Sequence, residues 1–288
     1  MKWEGNRQSE NVEDRRGAGG VRRAGGIGLG TIVLGLVASY FLGINPMTAI
    51  NAINGVQGAL PASQEAPAEQ QAAAQDRNTV FVRTVVADTE DTWGKIFAAS
   101  GQRYPAPKLV LYNAATPTAC GTGQAAMGPF YCPGDQKVYL DLDFFTTLER
   151  QLNSPGEFAK AYVIAHEVGH HLQKIMGTSD QVDALRGKVD TATQNQYSVR
   201  LELQADCYAG VWAHHADAQR QILENGDIEA AMNAAQQIGD DTLQKKSQGY
   251  IVPDSFTHGS SAQRMRWFNT GLQSGRVQDC DTFRAKAL

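Results

Sequence analysis

The chain has 288 residues, which is enough for one sizeable domain with additional segments. Its formal net charge of -4 and its pI of about 5.9 give no indication of a nucleic-acid partner, so we expect none. No internal repeat of the length that builds solenoids is present, which excludes a repeat architecture.

The first 77 residues predict a tail, a membrane anchor and a linker. Residues 1–23 are polar and rich in Gly and Arg, and we expect them to form a cytoplasmic tail. Residues 24–44 carry no charged side chain, and about 20 apolar residues span a bilayer. They predict an uncleaved transmembrane helix, with a cleaved signal peptide or a buried core helix as alternatives. Residues 45–77 are rich in Ala, Gln and Pro, which is typical of a flexible linker, and they leave 78–288 as the working domain.

Positive charges on one side of the apolar segment predict its orientation. Arg15, Arg16, Arg22 and Arg23 precede the segment, and the next basic residue after it is Arg77. Because basic residues stay in the cytoplasm, we expect a single-pass protein of the inner membrane with a cytoplasmic N-terminus. The domain would then be periplasmic.

Four cysteines lie in the portion that we expect outside the membrane. An oxidising compartment favours disulfides, and four cysteines allow three pairings. We favour the local pair Cys120–Cys132 across a Gly- and Pro-rich loop, which leaves Cys207–Cys280. The absence of a CxxC spacing in the sequence argues against a metal site built from these cysteines.

Hydrophobic periodicity and capping residues predict a mostly helical α+β domain with a small β-sheet. The most strongly specified helix has Ser154 as N-cap, Pro155 at its first position and Glu157 completing a capping box. Gly177 is expected to end it. The other predicted elements are a helix over 79–100, strands over 108–112 and 137–141, and helices over 143–151, 197–215, 227–249 and 260–271.

The helix that begins at Pro155 carries the sequence "AHEVGHH" in an otherwise apolar run. His166 and His170 are four residues apart and share one helical face, where two imidazoles can bind one metal ion. Glu167 points about 100° away from His166 and could act on a water beside that ion. This is the HExxH pattern, with the histidines as zinc ligands and the glutamate as general base. The alternative is an amphipathic helix with incidental histidines.

The sequence "ELQADCYAG" offers a third metal ligand. Glu202 and Asp206 are again four apart, so that Glu202 can bind the metal and Asp206 can accept the ring N–H of a ligating histidine. The small residues Ala205, Ala209 and Gly210 would let this helix approach the histidine helix closely. Two solvated acids on a surface helix are the alternative. Two histidines and one carboxylate leave a fourth position for water or substrate, as in catalytic zinc sites.

His258 is a candidate for stabilising the oxyanion of a tetrahedral intermediate. It lies in a Gly- and Ser-containing loop before the helix opened by the Ser260 and Gln263 capping box. Arg264, one turn inside that helix, could orient His258 or a substrate carboxylate. An ordinary surface histidine and a surface ion pair are the alternatives. His171 faces about 100° away from its neighbour in the HExxH pattern and is not expected to bind the metal.

Four sequence blocks together resemble the putative neutral zinc metallopeptidase family of membrane-anchored bacterial proteins. They are "ACGTGQAAMGPFYCPGDQKVYLDLDFF", "AYVIAHEVGHHLQ", "RLELQADCYAG" and "DSFTHGSSAQRMRWF". The resemblance implies a zincin-like (gluzincin) domain with Zn²⁺ and a protein or peptide substrate. It implies three zinc ligands, a general base in Glu167 and an outer support in Asp206. The implied ligands are His166, His170 and Glu202.

The block "HGSSAQR" is similar to the HPxxxxR motif of membrane-bound prenyl-protein endopeptidases, which supports roles for His258 and Arg264. Gly259 stands where that group has proline, and one predicted span gives no basis for intramembrane cleavage. In zincins an edge strand before the active helix binds substrate backbone, and by this analogy 137–141 would line the cleft.

The sequence therefore predicts a membrane-anchored zinc metalloendopeptidase that hydrolyses peptide bonds in the bacterial envelope. A non-catalytic, zinc-stabilised domain that binds envelope proteins or peptides is the alternative from another class, and a metal-free structural anchor is a third. The sequence sets neither the substrate nor the oligomeric state.

Overall fold

The structure is a computed structural model that describes residues 1–16, 76–124, 128–150 and 155–288. The predicted membrane helix, residues 24–44, lies outside these ranges, as does all of the predicted linker except its last two residues. In the part of the chain that is described, no helix has both the length and the apolar character needed to cross a bilayer.

The strands form one mixed sheet and one hairpin. The four-stranded sheet has the order β1-β2-β6-β5, in which β1, β2 and β6 are parallel and β5 is antiparallel to β6. Strands β3 and β4 form the separate antiparallel hairpin. The bounds are β1 Val12–Asp14, β2 Lys108–Tyr112, β3 Ala115–Thr118, β4 Gly121–Gln124, β5 Phe130–Cys132 and β6 Lys137–Asp141.

The helices surround the one that carries the HExxH pattern. The α+β class of the domain is confirmed. The bounds are α1 Arg77–Ala99, α2 Asp143–Arg150, α3 Glu157–Ile175, α4 Thr178–Asp183, α5 Thr191–Arg220, α6 Asp227–Gln237, α7 Asp240–Gln248 and α8 Ser261–Ser274. Helix α3 packs against α1, α5 and α6, and α5 also packs along α8.

The single helix predicted over 227–249 is wrong, because the chain breaks between α6 and α7. Gly239 adopts an extended conformation at this break and lies against the first turn of α8. A Cβ on Gly239 would come within 2.5 Å of the Ser261 hydroxyl oxygen. The capping box of Ser260 and Gln263 at the start of α8 is confirmed.

Strand β6 is central, so the prediction that 137–141 forms the edge of the sheet is wrong. It pairs with β2 on one side and with β5 on the other, and it is buried along nearly its whole length, as expected for an inner strand. The edge strands are β1 and the three-residue β5, which contains Cys132. Both predicted disulfides, Cys120–Cys132 and Cys207–Cys280, are present.

The N-terminal segment is folded against the domain, which differs from the predicted separate tail. Strand β1 pairs with β2, and the Trp3 ring packs edge-on against Phe81 with 5.4 Å between ring centroids. Residues 1–15 and 74–288 form one compact unit.

Helix α3 begins at Glu157 rather than Pro155. The residue before it, Gly156, has φ 117°, and no side chain caps this end. The predicted partner Ser154 lies outside the described residues. The Glu157 carboxylate is not folded back on the helix end, because it accepts a hydrogen bond from Trp3 Nε1 at 2.6 Å and pairs with Arg77. The start of α3 is thus fixed by the N-terminal segment.

Candidate metal centre

Two helices cross closely at the glycine of the HExxH pattern. A Cβ on Gly169 would come within 2.9 Å of the Ala205 Cα and 3.0 Å of its carbonyl oxygen, so only glycine fits here without displacing α5. Ala205 has the role predicted for it. Gly210 instead faces α8, where a Cβ would lie 2.1 Å from the Phe268 carbonyl oxygen. The close crossing of α3 and α5 brings their polar faces together.

His166, His170 and Glu202 meet at this crossing and offer three ligand atoms within 4.8 Å of one another. The Nε2 atoms of His166 and His170 lie 3.2 Å and 3.5 Å from the Glu202 carboxylate oxygens. Tetrahedral zinc with bonds of about 2.0–2.2 Å separates its ligand atoms by about 3.3–3.6 Å. The donor types and spacings therefore fit a zinc ion, and they match catalytic sites with two histidines and one carboxylate.

Asp206 supports His166 from behind. Its Oδ1 accepts hydrogen bonds from His166 Nδ1 at 2.8 Å and from the Tyr162 hydroxyl at 2.6 Å. Because an ionised carboxylate can only accept, the His166 proton is on Nδ1, and Nε2 is free to bind a metal. Tyr162 was not predicted, although it lies four residues before His166 on the same helical face.

Arg264 completes this buried cluster. Its Nε and Nη2 atoms each donate to Asp206 at 2.9 Å, and the two side chains are 2% and 0% exposed. Burial would raise the pKa of Asp206, but the charge of Arg264 and the hydrogen bond from His166 outweigh burial and lower the pKa to about 2. Arg264 therefore acts on the centre through Asp206, and its other hydrogen bonds go to the Tyr162 hydroxyl and the Ile238 carbonyl.

Glu167 is almost fully enclosed beside the ligand cluster, with 8% of its surface exposed. Burial raises the pKa of its carboxyl group. A carboxylate with a raised pKa binds a proton more readily, as a general base must.

Asp240 binds the loop that contains His258, a role that was not predicted from the sequence. Its Oδ2 accepts three backbone N–H groups, from Thr257 at 2.7 Å, His258 at 2.6 Å and Gly259 at 3.0 Å. Its Oδ1 lies 3.2 Å from His258 Nδ1, which leaves Nε2 of this half-exposed ring available. Gly259 has φ 88°, which proline cannot adopt, so the loop differs here from the HPxxxxR motif.

Burial acts to lower the pKa of His258, but its hydrogen bond to Asp240 and the charge of Glu202 outweigh burial and raise the pKa. The His258 loop lies against α5 near Glu202, because a Cβ on the next residue, Gly259, would come within 3.2 Å of the Leu203 and Val199 side chains. A protonated imidazole beside the centre is suited to stabilising a developing negative charge.

His171 points away from the cluster, as expected. Its Nε2 donates to the Pro105 carbonyl at 2.6 Å, and its Nδ1 accepts from the Tyr131 hydroxyl at 3.1 Å. Both ring nitrogens are therefore engaged with the segments that flank α3, and neither is free for a metal.

Comparison with known proteins agrees with this geometry. The sequence model of the family described as "Putative neutral zinc metallopeptidase" matches residues 1–283. The "Uncharacterized protein YpfJ" of Escherichia coli (strain K12) is 46% identical over 292 residues, covering 98% of this chain and 99% of that protein. The "Uncharacterized protein Rv2575" of Mycobacterium tuberculosis is 40% identical over 218 residues, covering 72% and 73%. No solved structure matches this chain. Zinc is the metal that the family implies, and the chain belongs to the putative neutral zinc metallopeptidase family.

Proposed function

We propose that this protein is a zinc-dependent metalloendopeptidase that hydrolyses peptide bonds of proteins in the bacterial envelope. The observation that carries the proposal is a three-ligand zinc cluster with a buried glutamate beside it. A purely structural zinc site is normally closed by a fourth protein ligand and has no use for Glu167. The cluster of His166, His170 and Glu202 has three.

Each residue of the site has a separate role in the proposed reaction. A bound zinc ion supplies Lewis-acid chemistry by polarising the peptide carbonyl and lowering the pKa of water toward about 7. Glu167 takes the proton of the attacking water and later gives a proton to the leaving nitrogen. His258, held by Asp240, donates a hydrogen bond to the oxyanion that forms at the carbonyl. Asp206 keeps His166 in the tautomer that binds metal.

Strand β5 is the proposed docking edge for the substrate backbone. It is one of the two outermost strands of the sheet, antiparallel to β6, and it packs against α3. An extended peptide can pair with such an edge as an added strand. This arrangement supports the proposal of a zincin-like fold, with β5 in place of the predicted 137–141 as the edge strand that binds substrate.

The envelope location is part of the proposal. Two disulfides favour an oxidising compartment for the domain, and residues 24–44 remain the proposed membrane anchor. A single passage of residues 24–44 with a cytoplasmic N-terminus requires β1 to leave the sheet that it forms with β2.

The test compares the wild type with Glu167→Gln in zinc content and in cleavage of casein and of envelope proteins. We expect both proteins to bind one zinc ion and the variant to lose about 100- to 10,000-fold in cleavage rate. Glu229→Gln, a change at an exposed position of α6, is the matched control and should cleave normally. A zinc-loaded wild type that cleaves nothing would favour the peptide-binding alternative. A wild type without stoichiometric zinc after dialysis would favour the metal-free anchor.

A further inference from the structure

A chain of hydrogen bonds connects the metal ligand His170 to the C-terminal segment of the protein. We propose that Gln173 and Gln204 are positioning residues that orient His170 for metal binding, and that the Cys207–Cys280 disulfide holds the far end of this chain. The inference rests on the zinc site of the proposed function. It adds a support to that site that differs in kind from the charged cluster behind His166.

The series of hydrogen bonds starts at a backbone carbonyl, which determines which atom of each amide donates and which accepts. The Cys280 carbonyl can only accept a hydrogen bond, so the Gln204 side chain must present its NH2 group there, and the two atoms lie 3.0 Å apart. The Gln204 Oε1 atom therefore faces the other way, where it accepts from Gln173 Nε2 at 3.2 Å.

The orientation of the Gln173 amide determines which of its atoms faces the metal ligand His170. Its Nε2 also donates to the Leu201 carbonyl at 2.6 Å, which independently fixes the orientation of the amide. The Gln173 Oε1 atom then faces His170 Nδ1 at 2.9 Å and accepts its proton. With Nδ1 protonated, His170 has its lone pair on Nε2, the atom that lies 3.5 Å from Glu202.

The far end of this hydrogen-bond chain, at Cys280, is attached covalently to α5, the helix that supplies the third metal ligand. Cys280 is bonded to Cys207, which lies on α5 five residues after Glu202. Next to it the Thr282 hydroxyl donates to the Arg200 carbonyl at 2.7 Å, so residues 280–282 run along α5. Both cysteines are completely buried. The disulfide thus fixes the acceptor carbonyl relative to the metal ligands.

The two histidines are supported by different chemistry. His166 donates to an ionised carboxylate that also binds Arg264, whereas His170 donates to a neutral amide. Gln173 is 1% exposed, so water cannot easily replace its oxygen as the partner of His170. Loss of that oxygen would leave the His170 N–H without an acceptor and free the ring to turn, which weakens metal binding.

The first experiment measures zinc affinity of the full chain by competition with a chromophoric chelator. Gln173→Met should weaken zinc binding by about 10- to 100-fold. Gln204→Met should weaken it by only about 3- to 10-fold, because Leu201 still holds Gln173. The double variant should bind zinc as weakly as Gln173→Met alone, since Gln204 acts through Gln173. Gln244→Met is the matched control, because that glutamine also makes two hydrogen bonds to a loop, with Val252 and Ser255.

The second experiment addresses the disulfide. Replacing Cys207 and Cys280 by Ala should lower zinc affinity by about 3- to 10-fold, as for Gln204→Met. Replacing Cys120 and Cys132 by Ala removes the other disulfide and should leave zinc affinity unchanged. Cobalt substitution reports on the metal ligands directly, so a variant that only destabilises the fold should leave the spectrum unchanged. The visible absorption bands of bound Co²⁺ should shift in Gln173→Met and stay unchanged in Gln244→Met.

Three outcomes would overturn the inference. One is a folded Gln173→Met protein with wild-type zinc affinity and an unaltered cobalt spectrum. The second is additive losses in the double variant, which would mean that Gln204 does not act through Gln173. The third is equal zinc affinity in the two double-alanine variants. In each case a wild type that binds zinc and cleaves peptides would leave the proposed function intact, whereas a wild type that binds no zinc would refute both.

Discussion

Gly169→Ala tests whether the crossing of α3 and α5 sets the geometry of the metal centre. The added methyl group would lie 2.9 Å from the Ala205 Cα, and carbon atoms in ordinary contact are about 3.5 Å apart. The helices must therefore separate by about 0.6 Å. The Glu202 oxygen that lies 3.5 Å from His170 Nε2 would then move to about 4 Å, which is beyond the span of a tetrahedral zinc ion.

Two opposing terms decide the stability of this variant. Alanine gains about 1 kcal/mol over glycine in a helix interior, whereas overpacking costs about 1–3 kcal/mol. The net destabilisation of the metal-free protein should be about 0–2 kcal/mol in urea unfolding, while zinc affinity should fall by about 10-fold or more. Gly94→Ala is the control, because a Cβ at Gly94 on α1 meets nothing within 4 Å, and it should stabilise the protein by about 1 kcal/mol. If Gly169→Ala were as stable as Gly94→Ala and bound zinc normally, the close-crossing argument would be refuted.

Three further predictions concern other parts of the structure. Asp240→Asn should lower kcat about 10- to 100-fold with unchanged zinc content, because the His258 loop loses a charged acceptor; an unchanged kcat would remove His258 from the mechanism. Asp206→Asn should destabilise the protein by about 3–5 kcal/mol at pH 7, since it leaves Arg264 buried without its partner charge. Because the folded pKa of Asp206 lies at about 2, below its unfolded value, its stabilisation is present above about pH 4 and is lost as the pH falls toward 2; urea unfolding across this range should show the two proteins converge. Trp3→Ala should cost about 3–5 kcal/mol in the same assay, and a negligible cost would show that the N-terminal segment does not contribute to the fold.

Elements specified by local sequence were predictable. Helix α3 follows from apolar residues at helical spacing, and the four-residue spacings of His166 with His170 and of Glu202 with Asp206 placed each pair on one face. The start of α8 followed from the Ser260 capping box. The pairing of Cys120 with Cys132 was predicted from the short loop between them, and Cys207 and Cys280 were the two cysteines that remained.

Features that depend on distant partners were not predictable. Strands β1 and β5 have three residues each, too few for a periodic signal, and they exist because of pairing with β2 and β6. Asp240 binds a loop 17–19 residues further along the chain, across the break between two helices. Gln173 has no local signal either, since its partners lie on another helix. In each case the tertiary contact is what gives the residue its role.

The pairing of β1 with β2 has a consequence for how the chain meets a membrane. Residues 1–15 and 74–288 form one compact unit, so while β1 stays paired with β2 the chain between them can cross a bilayer only an even number of times. A single passage would be possible only with β1 stripped from the sheet, which would uncover Trp3 and Val12 to water. The topology of membrane insertion and the pairing of β1 with β2 are therefore coupled.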